Sequence, residues 1–178
     1  MNTIETIMKR RSIRSFTDQP ISDEDIRTIL KAGMAGPTCV NARDWAFIVI
    51  TDKELLEKTA DANGRPAQCL KQAAMGILVC GDMERAFSRA KDYSVVDTSI
   101  ACENMILAAH ELGIGSVWLG TWPQMDRVER QKELFQLPET IVPHSLIAFG
   151  YPSDPSELES GKPDRPEFEE DRVHYNHW

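Results

Sequence analysis

Apolar and polar positions change period several times along this chain, and each change marks an element. Behind Asn2, with Glu5 three residues on, Ile4, Ile7 and Met8 recur at helical spacing and predict a capped helix that runs into Lys9-Arg10-Arg11. Ser22 with Asp25 opens a second helix, whose Ile26, Ile29 and Leu30 share one face and whose expected stop is Gly33. A loop, "AGPTCVN", separates it from the β-branched strand "AFIVIT". Asp52 to Ala60 and the stretch around Ala67 to Ala74 read as helical, and "MGILVCGD" reads as a second strand. From Tyr93 to Leu112 the positions Val96, Ile100, Ala101, Leu107, Ala108 and Leu112 make a wide stripe, ended by Gly113, that predicts a helix buried on most sides. "GSVWLG", "MDRVERQKELF" and "TIVPHSLIAFGYP" then give strand, helix and strand, with Pro143 near the start of the last.

Strands alternating with helices favour an α/β or α+β architecture over a bundle or a sandwich of sheets. The last 28 residues, from Tyr151, hold four of the ten prolines and many acids, so they are expected to form either a disordered tail or an arm laid on another surface. No internal repeat occurs. With 178 residues, 42% of them hydrophobic and 27% charged, one domain with a real core is expected.

A net charge of −8 argues against nucleic acid or an anionic membrane surface as partner, since both reward a broad basic face. Cys39, Cys69, Cys80 and Cys102 form no C-x-x-C pair and are expected to be buried, reduced thiols of a cytoplasmic protein. No signal peptide and no membrane-spanning apolar run is recognised.

Several motifs fail on context. In "GIGSVWLG" the glycines leave a helix and enter a strand, the reverse of a dinucleotide fingerprint. No G-x-x-x-x-G-K-[ST] loop and no G-x-S-x-G elbow occurs, and His174 and His177 in "HYNH" lack further ligands at metal spacing, so no metal is expected.

What remains is "KRRSIRSF", four cations within six residues of an acidic chain. One account makes them a solvated end that complements the first helix's negative pole. The other notes that Arg10, Ser12 and Arg14 alternate, so an extended backbone sends all three to one side, where two guanidinium forks and a hydroxyl would receive a phosphate or carboxylate.

Taken together, "RRSIR", "AGPTCVNARDW", "ACENMILAAHELGIGSVW" and "KPDRP" resemble the nitroreductase family of flavin enzymes over nearly the whole chain, with Thr38 for a family Ser and Arg43-Asp44 for a family Gln-Pro. The resemblance implies an α+β fold: a mixed sandwich with a central, mainly antiparallel sheet flanked by helices, working as an intertwined homodimer. Residues 1–150 would form one FMN-binding domain and residues 151–178 an arm reaching the partner subunit. It also implies that Arg10 meets the FMN phosphate and Ser12 the phosphate or ribityl side, with Arg11 among the cofactor-binding residues and Lys162 and Arg165 returning to the phosphate from the tail. Arg14 would face the N1 and C2=O edge, Trp118, Leu119, Gly120 and Thr121 would line the ring, and the Gly120 N–H would donate to N5. Thr38, Cys39 and Asn41 would come from the partner. Asn63 or Gly64 could add a polar contact, and Phe87 and Tyr93 could cover the substrate side.

The implied activity moves a hydride from NADH or NADPH through flavin N5 to a nitroaromatic or quinone in a ping-pong cycle, with Arg14 and Gly120 as the catalytic positions and no need for a side-chain nucleophile. Alternatives are a flavin enzyme of the same fold with another reaction (dehalogenation, desaturation or flavin breakdown), and a flavin-binding protein without turnover.

Overall fold

Four strands build the central sheet of the computed structural model, which describes residues 2–160 and 168–178. They are β1 (Trp45–Ile50), β2 (Met75–Asp82), β3 (Gly115–Gly120) and β4 (Ile141–Gly150), ordered β1-β2-β4-β3 with every neighbour antiparallel. The central pair is apolar on both faces. Ile77 and Val79 of β2, with Ile147 and Phe149 of β4, point to one layer, while Leu78 and Cys80, with Leu146 and Ala148, point to the other. Such a strand must be covered twice, which is why its sequence is a continuous apolar run.

Helices α2 (Asp23–Met34) and α4 (Tyr93–Glu111) cover the first face through Ile29, Cys102, Met105 and Ala109. Helices α3 (Lys53–Asn63) and α5 (Met125–Phe135), with the 3-10 stretch Arg65–Gln72, cover the second. The short α1 (Thr3–Lys9) is capped by Asn2, whose Oδ1 accepts from the Glu5 N–H at 3.0 Å. Ser22 caps α2 by accepting from the Asp25 N–H at 3.1 Å. The result is the α+β sandwich around an antiparallel sheet that the family resemblance implies.

Four expectations need correction. Gly33 does not end α2, which continues to Met34; a Cβ there would lie 2.8 Å from Met105 Cγ, so this glycine is where α2 and α4 approach closely. The segment after α3 is a 3-10 helix over Arg65–Gln72 rather than a helix over 67–74, since Gly64 at φ 84° breaks the α-helix. Helix α4 is not buried on most sides within this chain. Its inward face carries Ser94, Asp97, Ala101, Cys102 and Met105, while Val96 is 51% exposed and Ile100 and Leu107 are only half-buried. Finally, Cys80 and Cys102 are buried, with the Cys80 thiol pushed up to about 12 by burial, whereas Cys39 and Cys69 are only partly covered.

Pro143 falls inside the central strand β4, where a missing N–H would normally break the ladder. The register with β2 shifts between Val79 and Cys80, opposite this proline, so the irregularity absorbs it. Beyond β4 the chain turns back on its own body: the Ser153 N–H donates to Ser15 O at 3.0 Å and the Thr17 N–H to Tyr151 O at 2.8 Å. Further on, Phe168, Tyr175 and Trp178 are exposed. No helix of the described residues is long and apolar enough to cross a membrane.

Candidate functional site

At the end of α1 the backbone of Arg10 leaves the helix at φ −53°, ψ 133°, and residues 10–14 run out along the start of β3. What pins them is Ile13. Its side chain is completely buried, its N–H donates to Ser116 O at 2.9 Å, and Ser12 bridges Ser116 in parallel. On either side of this apolar peg Ser12 stays half-buried and Arg14 exposed. Arg10 Nε sits 3.3 Å from Glu103 Oε1, yet this buried nitrogen has no hydrogen bond. Arg11 Nη1 donates to Ser160 Oγ at 3.3 Å. Arg14 lies near Cys69, whose thiol burial pushes up and the arginine charge draws part of the way back.

The far end of β3 is held differently. Leu119 is buried in the core under α3, and Trp118 is half-buried with its edge on His144. Gly120 is exposed, and a Cβ built on it would meet nothing within 4 Å. Its carbonyl accepts from Asn63 Nδ2 at 3.3 Å and from Arg127 Nη1 at 2.7 Å. The buried Thr121 donates to Asn63 Oδ1 at 2.8 Å. A single buried amide at the end of α3 therefore fixes both residues, leaving an open, rigid strip of backbone. Beside it His144 is buried against Ser145, with Oγ 2.9 Å from Nδ1, and stacks on Trp122. Burial lowers its pKa to about 4, so the imidazole is neutral near pH 7.

The loop before β1 is the third piece. Thr38 Oγ1 accepts from the Arg43 N–H at 3.0 Å, and Asn41 Oδ1 accepts from Arg43 Nε at 3.2 Å. The Cys39 N–H donates to both Asp97 oxygens, at 2.9 and 3.0 Å. Val40, Asn41 and Arg43 all take positive φ, at 48°, 58° and 50°. Asp44, which follows, is completely buried with neither oxygen hydrogen-bonded.

These pieces do not converge within one chain. Loop 38–44 leads into the edge strand β1 while residues 118–121 end the opposite edge strand β3, three inter-strand steps or about 14 Å away. Lys162 and Arg165 lie outside the described residues. Phe87 is half-buried and Tyr93 exposed at the start of α4. His174 and His177 are exposed, and among the described residues no group of three or more His, Cys, Asp or Glu is placed to hold a metal.

Sequence reasoning missed Asp97, Arg127, His144 and the burial of Asp44. For Asp97 a signal existed, because Ser94, Asp97 and Thr98 share a helical face with Ala101 and Met105, and a carboxylate on that face needs a partner.

An arginine-rich extended segment thus lies at the start of β3 and an uncovered glycine at its end. The chain also matches the sequence pattern of the Nitroreductase family over residues 7–79 and 62–151. The chain belongs to the nitroreductase family. Among nitroreductase relatives, an Archaeoglobus fulgidus protein provisionally named NADH dehydrogenase/NAD(P)H nitroreductase is 43% identical over 175 residues, 98% of each chain. A similarly named structure from Parabacteroides distasonis superposes with a TM-score of 0.88 at 34% identity, covering 100% of both chains. The NADPH:FMN oxidoreductase of Vibrio harveyi, solved with NAD+, gives 0.85 at 30% identity, covering 100% of this chain and 78% of its own. The nitroreductase fold and an enzyme of the NAD(P)H-flavin oxidoreductase type follow from these likenesses.

Proposed function

We propose that this nitroreductase is a cytoplasmic, homodimeric FMN enzyme that takes reducing equivalents from NADH or NADPH and gives them to a nitroaromatic or quinone. The observation that carries the reading is the cationic segment 10–14 pinned by Ile13 to the start of β3, whose other end is the uncovered Gly120 strip. The residues fit FMN on two counts. The buried Nε of Arg10 is ion-paired with Glu103 but makes no hydrogen bond, a place a phosphate oxygen could take, and the space over Gly120 is left clear for a flat ring.

FMN, when bound, would supply the two-electron redox chemistry. The chain binds and orients. Arg10, Arg11 and Ser12 hold the phosphate side, together with Lys162 and Arg165. Arg14 faces the N1 and C2=O edge and stabilises negative charge there. The Gly120 N–H would be the donor toward N5, and Asn63 and Arg127 hold the following peptide unit by bonding the Gly120 carbonyl. Trp118, Leu119 and Thr121 shape the strip.

Two copies are required for the third piece. Thr38, Cys39 and Asn41 stand at the opposite sheet edge and reach a flavin only from a second subunit. Val96, Ile100 and Leu107 on α4, with Ile4, Ile7 and Met8 on α1, leave apolar surface uncovered in one chain, as a dimer face requires. Residues 151–178 are the arm, turned back on its own body as far as Ser160 and offering Phe168, Tyr175 and Trp178 to the partner. An obligate interface of this kind buries more than about 2,000 Å².

The test is direct. Protein purified without added flavin, or loaded with it, should be yellow and release FMN on denaturation. Release of FAD, or no uptake of FMN, overturns the assignment.

A further inference from the structure

Asp44 stands on the floor of the loop that carries Thr38, Cys39 and Asn41, and nothing donates to its carboxyl. The residue is 0% exposed and both oxygens are unbonded. Asp97, at 3% exposure, comes to meet it from α4, with its carboxyl within hydrogen-bonding reach of Asp44. The two oxygens of Asp97 share one N–H, that of Cys39. Four buried carboxylate oxygens thus have a single donor among them.

The neighbouring elements bring no cation. From α4 come Asp97 and Ser94, whose buried hydroxyl is itself unbonded. From the end of β2 comes Asp82, whose backbone N–H donates to Asp44 O and whose carboxylate accepts from the Glu84 N–H. The loop brings Cys39 and Arg43, and the latter's Nε is turned to Asn41. Among the described residues no ion pair joins Asp44 or Asp97 to a lysine or arginine. Two ionised carboxylates in contact in such a place repel with nothing to offset them, whereas one proton between them converts the contact into an O–H···O hydrogen bond.

The loop needs a hold of this kind. Three of its residues have left-handed backbone, and for the β-branched Val40 at φ 48° that conformation is strained. Strained backbone persists only where its surroundings impose it. Here the impositions are the Thr38–Arg43 bond and the Cys39 bond to Asp97.

We propose that Asp44 and Asp97 share one proton, that the protonated pair holds loop 38–43 in its flavin-contacting shape, and that flavin binding is therefore linked to that proton. The linkage rests on the reading that this loop meets the flavin across the dimer. The acidity of Asp97 runs the same way: burial foremost, then the Asp44 charge, raises its pKa, against the lowering by the Cys39 N–H. For a carboxyl whose folded pKa lies above the unfolded value, the stabilisation is complete below about pH 4 and is lost as pH rises through the folded value. The loop should loosen on the alkaline side.

The experiment measures FMN affinity and hydrogen exchange at the Cys39 amide from about pH 5 to 9, in wild type and in Asp44→Asn, where an amide N–H replaces the shared proton. Wild-type Kd should rise up to about tenfold per pH unit above the pair's titration, with Cys39 protection falling in parallel. The variant should flatten both curves, and comparison with it cancels the titration of the FMN phosphate. An Asp44→Asn protein that keeps the wild-type pH profile, or a wild type flat in both readouts, overturns the shared proton. Protection that depends on pH while affinity does not removes the linkage and with it the loop's place at the flavin. If the variant does not fold, infrared spectroscopy of the wild type decides: a buried carboxylic-acid carbonyl band that persists above the pH at which ordinary carboxyls ionise and disappears as the pH is raised further supports the pair, and its absence contradicts it.

Discussion

Arg10→Ala separates a cofactor-binding cluster from a solvated helix end. The guanidinium is mostly covered and lies 3.3 Å from Glu103 Oε1, with no hydrogen bond at Nε. A charge-assisted hydrogen bond to a phosphate contributes roughly 1.5–3 kcal/mol, which is about 10- to 150-fold in Kd. Glu103 already neutralises part of this arginine, and in the variant its half-exposed carboxylate would be left near the phosphate, screened by water. The first effect lowers the net contribution and the second raises the loss, so a value near the middle, about 30-fold, is expected. The assay is fluorescence titration of apoprotein with FMN, repeated with riboflavin, which lacks the phosphate. Arginine removal should weaken FMN and leave riboflavin within about twofold. Equal losses for both ligands, or none for either, would refute the assignment of Arg10 to the phosphate.

Other expectations follow from the same geometry. Arg14→Ala should lower the two-electron potential of bound flavin by about 30–60 mV in dye-equilibrated titrations while changing FMN affinity less than Arg10→Ala does. Placing a charge at an uncovered α4 position, Val96→Asp, should convert a dimer to a monomer in sizing with light scattering and release flavin, whereas a stable monomeric wild type would contradict the interface. Asn63→Ala leaves Thr121 Oγ1 and the Gly120 carbonyl without their buried partner and should cost about 1–3 kcal/mol in denaturant unfolding, with faster flavin loss. His144 is held neutral with a folded pKa of about 4, below the unfolded value near 6.5, so its contribution is intact above that value and lost as pH falls toward 4. His144→Gln should flatten that acid limb by up to about 3 kcal/mol, and an unchanged slope between those pH values would refute it.

How much of this was readable beforehand depends on whether a residue's reason is local. The caps Asn2 and Ser22 act within one turn, so their helices began where their sequences place them. Strand β2 is buried on both faces, and seven consecutive positions without a charge, Met75 to Gly81, display it. Gly33 was ambiguous because a helix glycine serves either as a stop or as a point of close approach, and only Met105 on α4 decides between them. On α4 the apolar stripe misled for a related reason. Part of it faces outward, while Ser94, Asp97 and Thr98 occupy the inward face and blur the hydrophobic period. At the site, the cationic run was visible as a departure from the chain's own acidity, but its geometry depends on Ile13 reaching Ser116 across the fold. Asp44 showed itself as a departure at a loop position. That it meets Asp97 is tertiary information, which no local pattern carries.

The central claim is that this chain passes electrons from a nicotinamide to an organic acceptor through FMN held between Arg10 and Gly120. The most direct measurement is anaerobic absorbance of the FMN-loaded protein during sequential addition of NADH or NADPH and then a nitroaromatic or quinone. The flavin band should bleach with one equivalent of the nicotinamide and return when the acceptor is added. A protein that binds no FMN, or whose bound flavin neither nicotinamide bleaches, contradicts the account.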